Sequence, residues 1–335
     1  MARRRCVECV YYLKRSRYCI LLGRRVEDPE HPPCLKQREE KAEKPEPRVK
    51  AMAKPVAADG PQASQARAVA QQAAVAKPSE APPRVMAEAL GFSYAPTGIR
   101  ELDEALGGGF IRGKTYLVAG ETGAGKTIFS LQFLLTGAVY YDEPGVYVAI
   151  DEPADQLLRG LRRFGWDVTP LIKEGKLVFL DMRTHFSKIY MRDERRKIEP
   201  KYVIESILRA AKRAKARRLV IDPVAPLIYG GTPDDVLYVR EFLREMVFAI
   251  ERVGSLTTVM TSEIPTGSKK LSRFGVEEFL ASGIIVLGME EVGGEILRVM
   301  YVRKARWAPA KPVKFVFDIE PGRGIVIKGL LRDFV

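Results

Sequence analysis

The chain has 335 residues, of which 46% are hydrophobic, and a formal net charge of +13. It is long enough to bury a sizeable core in more than one domain, and no segment approaches the roughly 18 uninterrupted apolar residues of a membrane span. Its first residues, MARRRCVEC, have the charged beginning of a signal peptide without its apolar core, so we expect a cytoplasmic protein with no membrane partner. About half of the positive excess falls before residue 55, and it indicates an anionic partner, which could be nucleotide, nucleic acid or acidic protein.

The amino-terminal segment contains all the cysteines of the chain: Cys6, Cys9, Cys19 and Cys34. The first two form a Cys-x-x-Cys pair that lets two thiolates bind one tetrahedral ion, and the other two complete the set, with His31 as a substitute for Cys34. A segment this small cannot bury enough apolar surface to fold unaided, which favours structural Zn²⁺ over four unliganded thiols. An iron–sulfur cluster or a pair of disulfides could also use these cysteines, but a reducing cytoplasm disfavours the disulfides. We therefore predict a zinc-binding module over residues 1–36.

Residues 37–91 have a different composition, dominated by Pro, Ala, Gln, Lys and Glu. No aromatic residue occurs between Tyr18 and Phe92. Such a segment cannot bury enough surface to offset its ordering entropy. We predict a flexible linker with a transient helix in its Ala-rich part.

Residues 92–335 alternate between apolar strand-like runs and segments of helical period. The runs lie at residues 115–119, 146–150, 177–180, 219–221, 256–260 and 284–287. Near-continuous apolar strands indicate burial on both faces, so we predict an α/β domain with a mainly parallel sheet sandwiched by helices. Shorter strands, expected near residues 297–303, 314–319 and 324–327, would form an antiparallel extension on one edge.

The stretch GETGAGKT between the first run and a helical segment has the spacing of a Walker A loop. Its backbone N–H groups converge on phosphate, the lysine reaches the β and γ phosphates, and the threonine hydroxyl binds Mg²⁺. The competing interpretation is a Gly-rich turn with an incidental lysine, but the strand-to-helix context is the one that the motif requires. The predicted ATP-binding residues are Gly120, Glu121, Thr122, Gly123, Ala124, Gly125, Lys126, Thr127 and Ile128.

Two acidic strand ends are candidates for the metal and for catalysis. Asp222 ends the run RRLVID, about a hundred residues after the Walker A loop, and is the predicted second Mg²⁺ ligand, unless it is simply a strand-capping Asp. Asp151 and Glu152 end the run VYVAIDEP. Glu152 is the better candidate to orient the attacking water, with Asp151 assisting. Asp-Glu-Pro also suits the start of a helix, which is the competing interpretation.

These blocks together resemble the single ATPase module of the KaiC group within the RecA-type ATPases. The resemblance covers residues 92–327 and rests on PTGIRELDEALGGGFIRGKTYLVAGETGAGKT, followed by GVYVAIDEP, RRFGWDV, EGKLVFLD, RRLVID, TTVMTSE and RFGVEEF. It implies a RecA-like core that forms a ring, commonly a hexamer, with ATP between subunits. It also implies that the paired acidic element, here Asp151 and Glu152, is catalytic.

The resemblance further implies that Lys304 and Arg306 form a Lys-x-Arg element that reaches the nucleotide of a neighbouring subunit. A guanidinium supplied in trans stabilises charge on the phosphoryl group during transfer. By sequence alone these two residues are better interpreted as exposed strand charges.

The sequence departs from the family pattern in three places. Pro223 follows Asp222 where the family has Ser or Thr, and Pro226 follows soon after, so a polar relay is missing and we expect slow hydrolysis. Asp151 replaces a glutamate, which favours Glu152 as the principal base. The chain has one P-loop and no internal repeat, so circadian function and autokinase activity do not carry over.

The region after the strand near residue 260 provides the remaining candidates. Thr261 and Glu263 could sense the γ-phosphate or simply cap the strand. The segment of residues 264–275, with Lys269, Lys270 and Arg273, has the position of a RecA-type DNA-binding loop. Three cations suit phosphate contacts, but Phe274 is the one aromatic residue beside them. The charged insert of residues 187–202 has no assignment.

Three hypotheses about function follow. The first and favoured one is a nucleotide-dependent ring ATPase that regulates an unidentified protein partner. The second is a RadA-like recombination or repair ATPase stimulated by single-stranded DNA, and the third is a non-hydrolysing, nucleotide-gated scaffold.

Overall fold

The computed structural model describes residues 93–182, 200–227, 236–265, 268, 270–308 and 312–335, and the backbone of three short strands nearer the amino terminus. The short strands are β1 (Tyr12–Leu13), β2 (Tyr18–Cys19) and β3 (Arg24–Arg25), which pair antiparallel in that order. The predicted linker lies outside the described residues, and the division into three domains remains a prediction.

Eleven further strands form two sheets. In chain order they are β4 (Tyr94–Ala95), β5 (Phe110–Ile111), β6 (Thr115–Gly120), β7 (Gly145–Ala149), β8 (Leu177–Asp181), β9 (Arg218–Asp222), β10 (Thr257–Glu263), β11 (Gly283–Val292), β12 (Glu295–Ala305), β13 (Val313–Glu320) and β14 (Gly324–Leu330). Strands β4 and β5 pair with each other, and the other nine form one sheet in the order β14-β13-β12-β11-β6-β10-β9-β7-β8.

The large sheet is mainly parallel. Strands β11, β6, β10, β9, β7 and β8 all run in one direction, and β12, β13 and β14 extend the β11 side in antiparallel fashion. Every residue of β6, β7 and β9 is buried, as expected for strands covered on both faces. We call the side where these parallel strands begin the amino edge and the side where they end the carboxyl edge.

Helices cover both faces of the sheet. They are α1 (Arg100–Ala105), α2 (Lys126–Tyr140), α3 (Ala154–Phe164), α4 (Thr169–Lys173), α5 (Pro200–Arg213), α6 (Val236–Arg252) and α7 (Glu277–Leu280), with 3₁₀ turns at Ala225–Leu227 and Leu331–Asp333. One core contains α1 to α4, and a second contains α5 and α6 on the other face. The predicted α/β sandwich is confirmed. No helix in the described ranges is long and apolar enough to cross a bilayer.

Helix α2 is buried on nearly all sides. Residues 129–138 are all buried, as is typical of a helix in the centre of a domain. Burial of each large side chain, such as Phe129, Phe133 or Leu134, contributes about 2 kcal/mol. This packing fixes α2 against the sheet and therefore fixes the loop that precedes it.

The prediction of shorter strands after residue 287 is wrong. Strands β11 and β12 have 10 and 11 residues and form the longest hairpin of the large sheet. Gly293 and Gly294, both with positive φ, make the two-residue turn that such a hairpin favours. The outer half of the hairpin is partly exposed and carries polar side chains. Its sequence therefore lacks the apolar pattern that predicts a continuous strand.

Candidate functional site

The Walker A loop lies at the carboxyl edge, between the end of β6 and the start of α2. Gly125, the residue before α2, has φ of 102°, which glycine adopts without strain. A side chain at Gly120 would lie 2.3 Å from the carbonyl oxygen of Leu287, so the strand ends can approach closely only with glycine there. Gly123 and Thr122 are exposed at the tip of the loop. The loop therefore presents its backbone to solvent beside the helix amino terminus, which favours anion binding.

Lys126 is folded onto this loop. Its Nζ donates hydrogen bonds to the carbonyl oxygens of Gly120 at 2.8 Å and Glu121 at 2.9 Å. Burial lowers the pKa of the ammonium group, and the charges of Asp222, Glu263 and Glu121 oppose this shift. Both acceptors are neutral carbonyls, and a phosphate oxygen makes a stronger, charge-assisted bond.

Asp222 receives three hydroxyl hydrogen bonds from three different elements. Thr127 Oγ1, in the first turn of α2, donates to Asp222 Oδ2 over 2.9 Å. Tyr147, on β7, donates to the same oxygen, and Thr261, on β10, donates to Oδ1. The carboxylate is 8% exposed, and the peptide bond to Pro223 is cis. One carboxylate and one hydroxyl beside a phosphate-binding loop form a donor set that fits Mg²⁺, which takes few protein ligands.

Tyr147 is a site residue that sequence analysis missed, because a tyrosine in an apolar strand is indistinguishable from an ordinary core residue. Its ring is buried and packs against Phe179 at a centroid distance of 5.5 Å. Burial, followed by the charge of Asp222, raises the pKa of the phenol well above its ordinary value. Tyr147 is therefore a hydrogen-bond donor that fixes the Asp222 carboxylate.

Asp151 and Glu152 follow β7 at the carboxyl edge and are both exposed. Ala149 lies opposite Asp222 in the register of β7 and β9, so the two acidic residues extend past the site of Asp222. They also precede α3, whose first turn contains a different acidic residue, Asp155. Both the catalytic role and the helix-start role of these two residues remain predictions.

Glu263 connects the Walker A loop with the segment after β10. Its Oε1 accepts a 2.7 Å hydrogen bond from Thr122, and its Oε2 lies 3.4 Å from Arg273. Thr261 lies two residues before it and binds Asp222 instead. Lys270 is described and exposed, whereas Lys269 lies outside the described residues.

The end of this segment is held by the buried carboxylate of Glu277. Ser262 and Ser272 donate hydroxyl hydrogen bonds to its two oxygens at 3.0 and 2.7 Å. The backbone N–H of Val276 also donates to it at 3.1 Å. The segment of residues 264–276 is therefore fixed at both ends, by Glu263 and by Glu277.

Lys304 and Arg306 contact helix α7 of their own chain. Lys304 Nζ donates to the carbonyl oxygens of Glu278 and Ala281, each at 2.8 Å. Arg306 Nη2 donates to the carbonyl oxygen of Phe279 at 3.3 Å. Desolvation, followed by the nearby charge of Arg306, lowers the pKa of Lys304.

The structure does not bring Lys304 and Arg306 to the Walker A loop of the same chain. Ala305 pairs with Gly283, which pairs with Tyr116 near the start of β6, whereas Gly120 at the end of β6 pairs with Leu287. Four residues of strand separate the two positions, or about 13 Å. The pair thus lies toward the amino edge.

A second buried charged cluster, which the sequence did not predict, lies at the amino edge. Arg218 Nε donates to Glu143 Oε2 at 2.7 Å, and its Nη1 donates to the carbonyl oxygens of Pro96 and Phe133 at 2.6 and 2.8 Å. Arg112 also pairs with Glu143. The cluster ties β9, α2 and the segment before α1 together.

Asp103 belongs to the same region. It accepts hydrogen bonds from the Thr97 backbone at 2.7 Å, the Thr97 hydroxyl at 2.8 Å and the Gly98 backbone at 3.2 Å. Burial raises the pKa of its carboxyl group to about 7, although the three donors and the charge of Arg218 act in the opposite direction. Local sequence gives no signal for the pair of Arg218 and Glu143, because its members lie 75 residues apart.

The proposed zinc ligands lie almost entirely outside the described residues. Only the backbone of Cys19 is included, in β2. Among the described residues, no group of three or more His, Cys, Asp or Glu side chains is arranged to hold a metal ion. The zinc module thus remains a prediction.

Comparison with known proteins shows similarity to one family. A family model described as "ATPase: KaiC" matches residues 95–331. The circadian clock oscillator protein KaiC of Thermostichus vulcanus is 31% identical over 237 residues, which cover 71% of this chain and 45% of the relative. That of Synechococcus elongatus is 32% identical over 241 residues, or 70% and 44%. The chain thus spans less than half the length of these relatives.

A solved structure shows the same similarity over a whole chain. The KaiC-like protein of the hyperthermophilic archaeon Pyrococcus horikoshii OT3 is 36% identical, with a TM-score of 0.58. The match covers 70% of this chain and 99% of the archaeal one.

Proposed function

Because the chain belongs to the KaiC family of RecA-type ATPases, we propose that it binds ATP with Mg²⁺ at the carboxyl edge, hydrolyses it slowly, and acts as a nucleotide-dependent oligomeric regulator. The contact between Thr127 and Asp222, beside the loop that holds Lys126, is the observation that supports this most directly. It joins the two predicted Mg²⁺ ligands although 95 residues separate them in sequence.

Each group of the site has a role in this proposal. Lys126 would exchange its carbonyl acceptors for β- and γ-phosphate oxygens, and Thr127 and Asp222 would hold the metal. When bound, Mg²⁺ neutralises charge that develops on the phosphates. Glu152 orients a water molecule and accepts its proton as the oxygen bonds to the γ-phosphorus and the bond to ADP breaks, with Asp151 assisting.

We also propose that Lys304 and Arg306 act on the nucleotide of a neighbouring subunit in a ring, commonly a hexamer in this family. Their position toward the amino edge supports a role in trans, because they cannot serve the loop of their own chain. A mixing experiment tests this, in which Lys126→Ala and Arg306→Ala chains should each be inactive alone. Mixed oligomers should regain part of the turnover, because some interfaces combine an intact loop with an intact arginine. Absence of recovery in verified mixed oligomers would contradict the role in trans.

Two other functions have specific support. Lys270 and Arg273, on the segment next to Glu263, favour the RadA-like function, in which single-stranded DNA stimulates hydrolysis. Pro223, which supplies no hydroxyl after Asp222, favours the non-hydrolysing scaffold. Thr261 and Tyr147 weaken the latter argument, since they already provide hydroxyls to Asp222.

One experiment separates the three functions. ATP turnover and oligomer mass are measured with and without single-stranded DNA, for the natural chain and for Lys126→Ala. We expect nucleotide-dependent oligomers and slow turnover that the substitution abolishes, without an effect of DNA. Strong stimulation by DNA would support the recombination ATPase, and binding without turnover would support the scaffold. Failure to bind ATP would refute all three.

The zinc module is a separate proposal. Four thiolates in a reducing environment, two of them in a Cys-x-x-Cys pair, suit a tetrahedral structural ion. Elemental analysis of the purified full chain should find one zinc per chain. Replacing Cys6 and Cys9 with serine should remove the zinc, whereas iron or no metal in the natural chain would refute the assignment.

A further inference from the structure

A basic turn at the amino edge stands apart from the nucleotide site. It comprises residues 212–217, at the end of α5 and just before β9, and its exposed cations are Lys212, Arg213, Lys215 and Arg217. Within the described part of the chain, none of the four forms an ion pair. Asp222 lies at the opposite end of the strand that follows, so the turn and the proposed ATP site occupy opposite edges of the sheet.

Helix stability explains only part of this charge. Cations in the last turn of a helix interact favourably with its dipole, and Lys212 and Arg213 occupy that turn. Lys215 and Arg217 lie beyond the helix end, where the dipole effect has faded. The helix dipole therefore accounts for only two of the four charges.

The backbone at Lys215 is strained for a lysine. Its φ is 50°, and the N–H groups of Lys215 and Ala216 donate to the carbonyl oxygens of Lys212 and Ala211 at 3.1 and 2.9 Å. This is the Schellman arrangement of a helix end, in which the left-handed position is usually glycine. A lysine in this left-handed conformation costs free energy that glycine would not. The residue with the strained backbone is thus also one of the exposed charges.

Two tyrosines lie beside the basic turn. Tyr140 is the last residue of α2 and Tyr141 follows it, and the two side chains are 51% and 43% exposed. The backbone N–H of Arg217 donates to the carbonyl oxygen of Pro144 at 2.8 Å, which places the turn against the segment that follows these tyrosines. The guanidinium carbon of the buried Arg218 lies over one face of the Tyr141 ring, 5.7 Å from its centroid, which is a cation–π distance.

The acidic side chains of this region are already neutralised. Asp142 pairs with Lys176 at 2.9 Å, and Glu143 pairs with Arg218 at 2.7 Å and with Arg112. The surface thus combines unpaired cations, which suit phosphates, with exposed aromatic rings, which suit unstacked bases. An acidic peptide would use the cations but not the rings.

We propose that the basic turn and the two tyrosines form a binding surface for single-stranded nucleic acid, separate from the segment of residues 264–276 and from the ATP site. Phosphates contact the four cations, and a base stacks on an exposed tyrosine ring. Binding at this surface needs no nucleotide hydrolysis. The binding proposal can therefore be tested independently of the proposed ATPase activity.

Fluorescence anisotropy of a labelled oligothymidylate with the full chain, between about 50 and 200 mM KCl, tests the surface. Replacing all four cations with glutamine should weaken binding at least about tenfold and reduce the log–log salt slope by about 2.8, or about 0.7 per lost contact. ATP binding by this variant should be unchanged. The matched control, Arg240→Gln with Arg244→Gln at exposed positions of α6, should leave oligothymidylate binding unaltered.

The single substitution Lys215→Gly separates binding from stability. It removes one charge and relieves the left-handed strain, so the midpoint of thermal unfolding should rise while oligothymidylate binding weakens about two- to fivefold. Replacing both tyrosines with leucine should weaken binding without changing the salt slope, because stacking releases no counterions.

Several outcomes would overturn the proposal. They are no binding by the natural chain at low salt, an unchanged slope in the four-cation variant, and loss of binding in the control alone. Equal displacement of the oligothymidylate by polyglutamate would assign the surface to an acidic protein instead.

Discussion

The two ends of strand β9 carry opposite charges with opposite purposes. Arg218 begins the strand at the amino edge and Asp222 ends it at the carboxyl edge, and both are largely buried. Both also contact helix α2, since Arg218 binds the carbonyl oxygen of Phe133 and Asp222 accepts a hydrogen bond from Thr127. One strand therefore anchors the Walker A helix at two points.

Their partners differ in kind. Arg218 is paired with the carboxylate of Glu143, and the ring of Phe133 lies 4.6 Å from its guanidinium carbon. Asp222 is held by the neutral hydroxyls of Thr127, Tyr147 and Thr261. A charge whose counter-ion is built into the chain stabilises the fold. A charge held by neutral donors can still bind a cation. Burial alone therefore does not distinguish a structural charge, such as Arg218, from a metal-binding one, such as Asp222.

The largest effect is expected at the structural end. Arg218→Met should lower the free energy of unfolding by about 3–5 kcal/mol, because Glu143 then loses its main buried partner. Nucleotide affinity per folded molecule should change little. Urea titration gives the stability, and the exposed neighbour Arg217→Met serves as the matched control with no expected change in unfolding. If Arg218→Met were as stable as the natural chain, the structural interpretation of the amino-edge cluster would be wrong.

The pH dependence of stability distinguishes the same cluster from the nucleotide site. The pKa of Asp103 is raised to about 7 in the folded chain, above its ordinary value of 3.8. Between about pH 4 and pH 7 the folded chain therefore holds a proton that the unfolded chain has lost, so stability falls as pH rises through this window. The limit is about 4 kcal/mol, at about 1.4 kcal/mol per pH unit.

Urea titrations of the natural chain and of Asp103→Asn, at about pH 5 and about pH 8, measure this contribution. The substitution should cost stability at both pH values, because asparagine cannot reproduce all three hydrogen bonds. The loss should be smaller at the higher pH, where the natural chain carries the buried charge. Equal losses at the two values would show that the folded carboxyl group titrates near its ordinary pKa.

The sequence predicted the features that depend on residues close together in the chain. The Walker A loop and the acidic strand end at Asp222 follow from short motifs in the context of apolar strands, and the fold follows from the alternation of those strands. The pairing of Arg218 with Glu143 could not be predicted, because it depends on how α2 crosses the sheet. Asp103 has local partners, Thr97 and Gly98, but its burial follows from tertiary packing. Tyr147 was missed because a buried strand tyrosine resembles an ordinary core residue.

The lengths of the hairpin strands and the place of Lys304 and Arg306 need separate explanations. The lengths of β11 and β12 were underestimated because the exposed half of a hairpin carries polar side chains and has no core pattern. The family resemblance assigns Lys304 and Arg306 a role at the nucleotide of a neighbouring subunit. In the structure, the strand register places both residues far from their own Walker A loop. Their role in trans stays a prediction, because a single chain contains no neighbour.

At the functional end of β9, Asp222→Asn should reduce ATP turnover about a hundredfold, equivalent to about 2.7 kcal/mol of transition-state stabilisation. The substitution removes the negative charge that holds Mg²⁺ but keeps the shape of the side chain. Stability should change little, since the substitution removes a largely buried charge but also weakens the hydrogen bonds of three hydroxyl donors. Turnover and urea titration of this variant, beside Arg218→Met, give the contrast directly. A large stability loss with normal turnover would reverse the roles assigned to the two ends.

The smallest expected effect concerns Tyr147. Tyr147→Phe keeps the ring that packs on Phe179 and removes only the hydroxyl that binds Asp222. The carboxylate becomes less well fixed, at a cost of about 1 kcal/mol, so half-maximal binding of a fluorescent ATP analogue should need about fivefold more Mg²⁺. Binding of the analogue in the presence of a chelator should not change.

The matched control for this effect is Tyr116→Phe. Tyr116 is another buried strand tyrosine, but its hydroxyl accepts a 2.8 Å hydrogen bond from the backbone of Ile111, far from Asp222. Tyr116→Phe should lower the free energy of unfolding about as much as Tyr147→Phe does. It should leave the Mg²⁺ requirement unaltered. An equal shift in both variants would indicate a general loosening of the sheet. A shift in Tyr147→Phe alone would show that one phenol at the carboxyl edge positions the metal-side carboxylate.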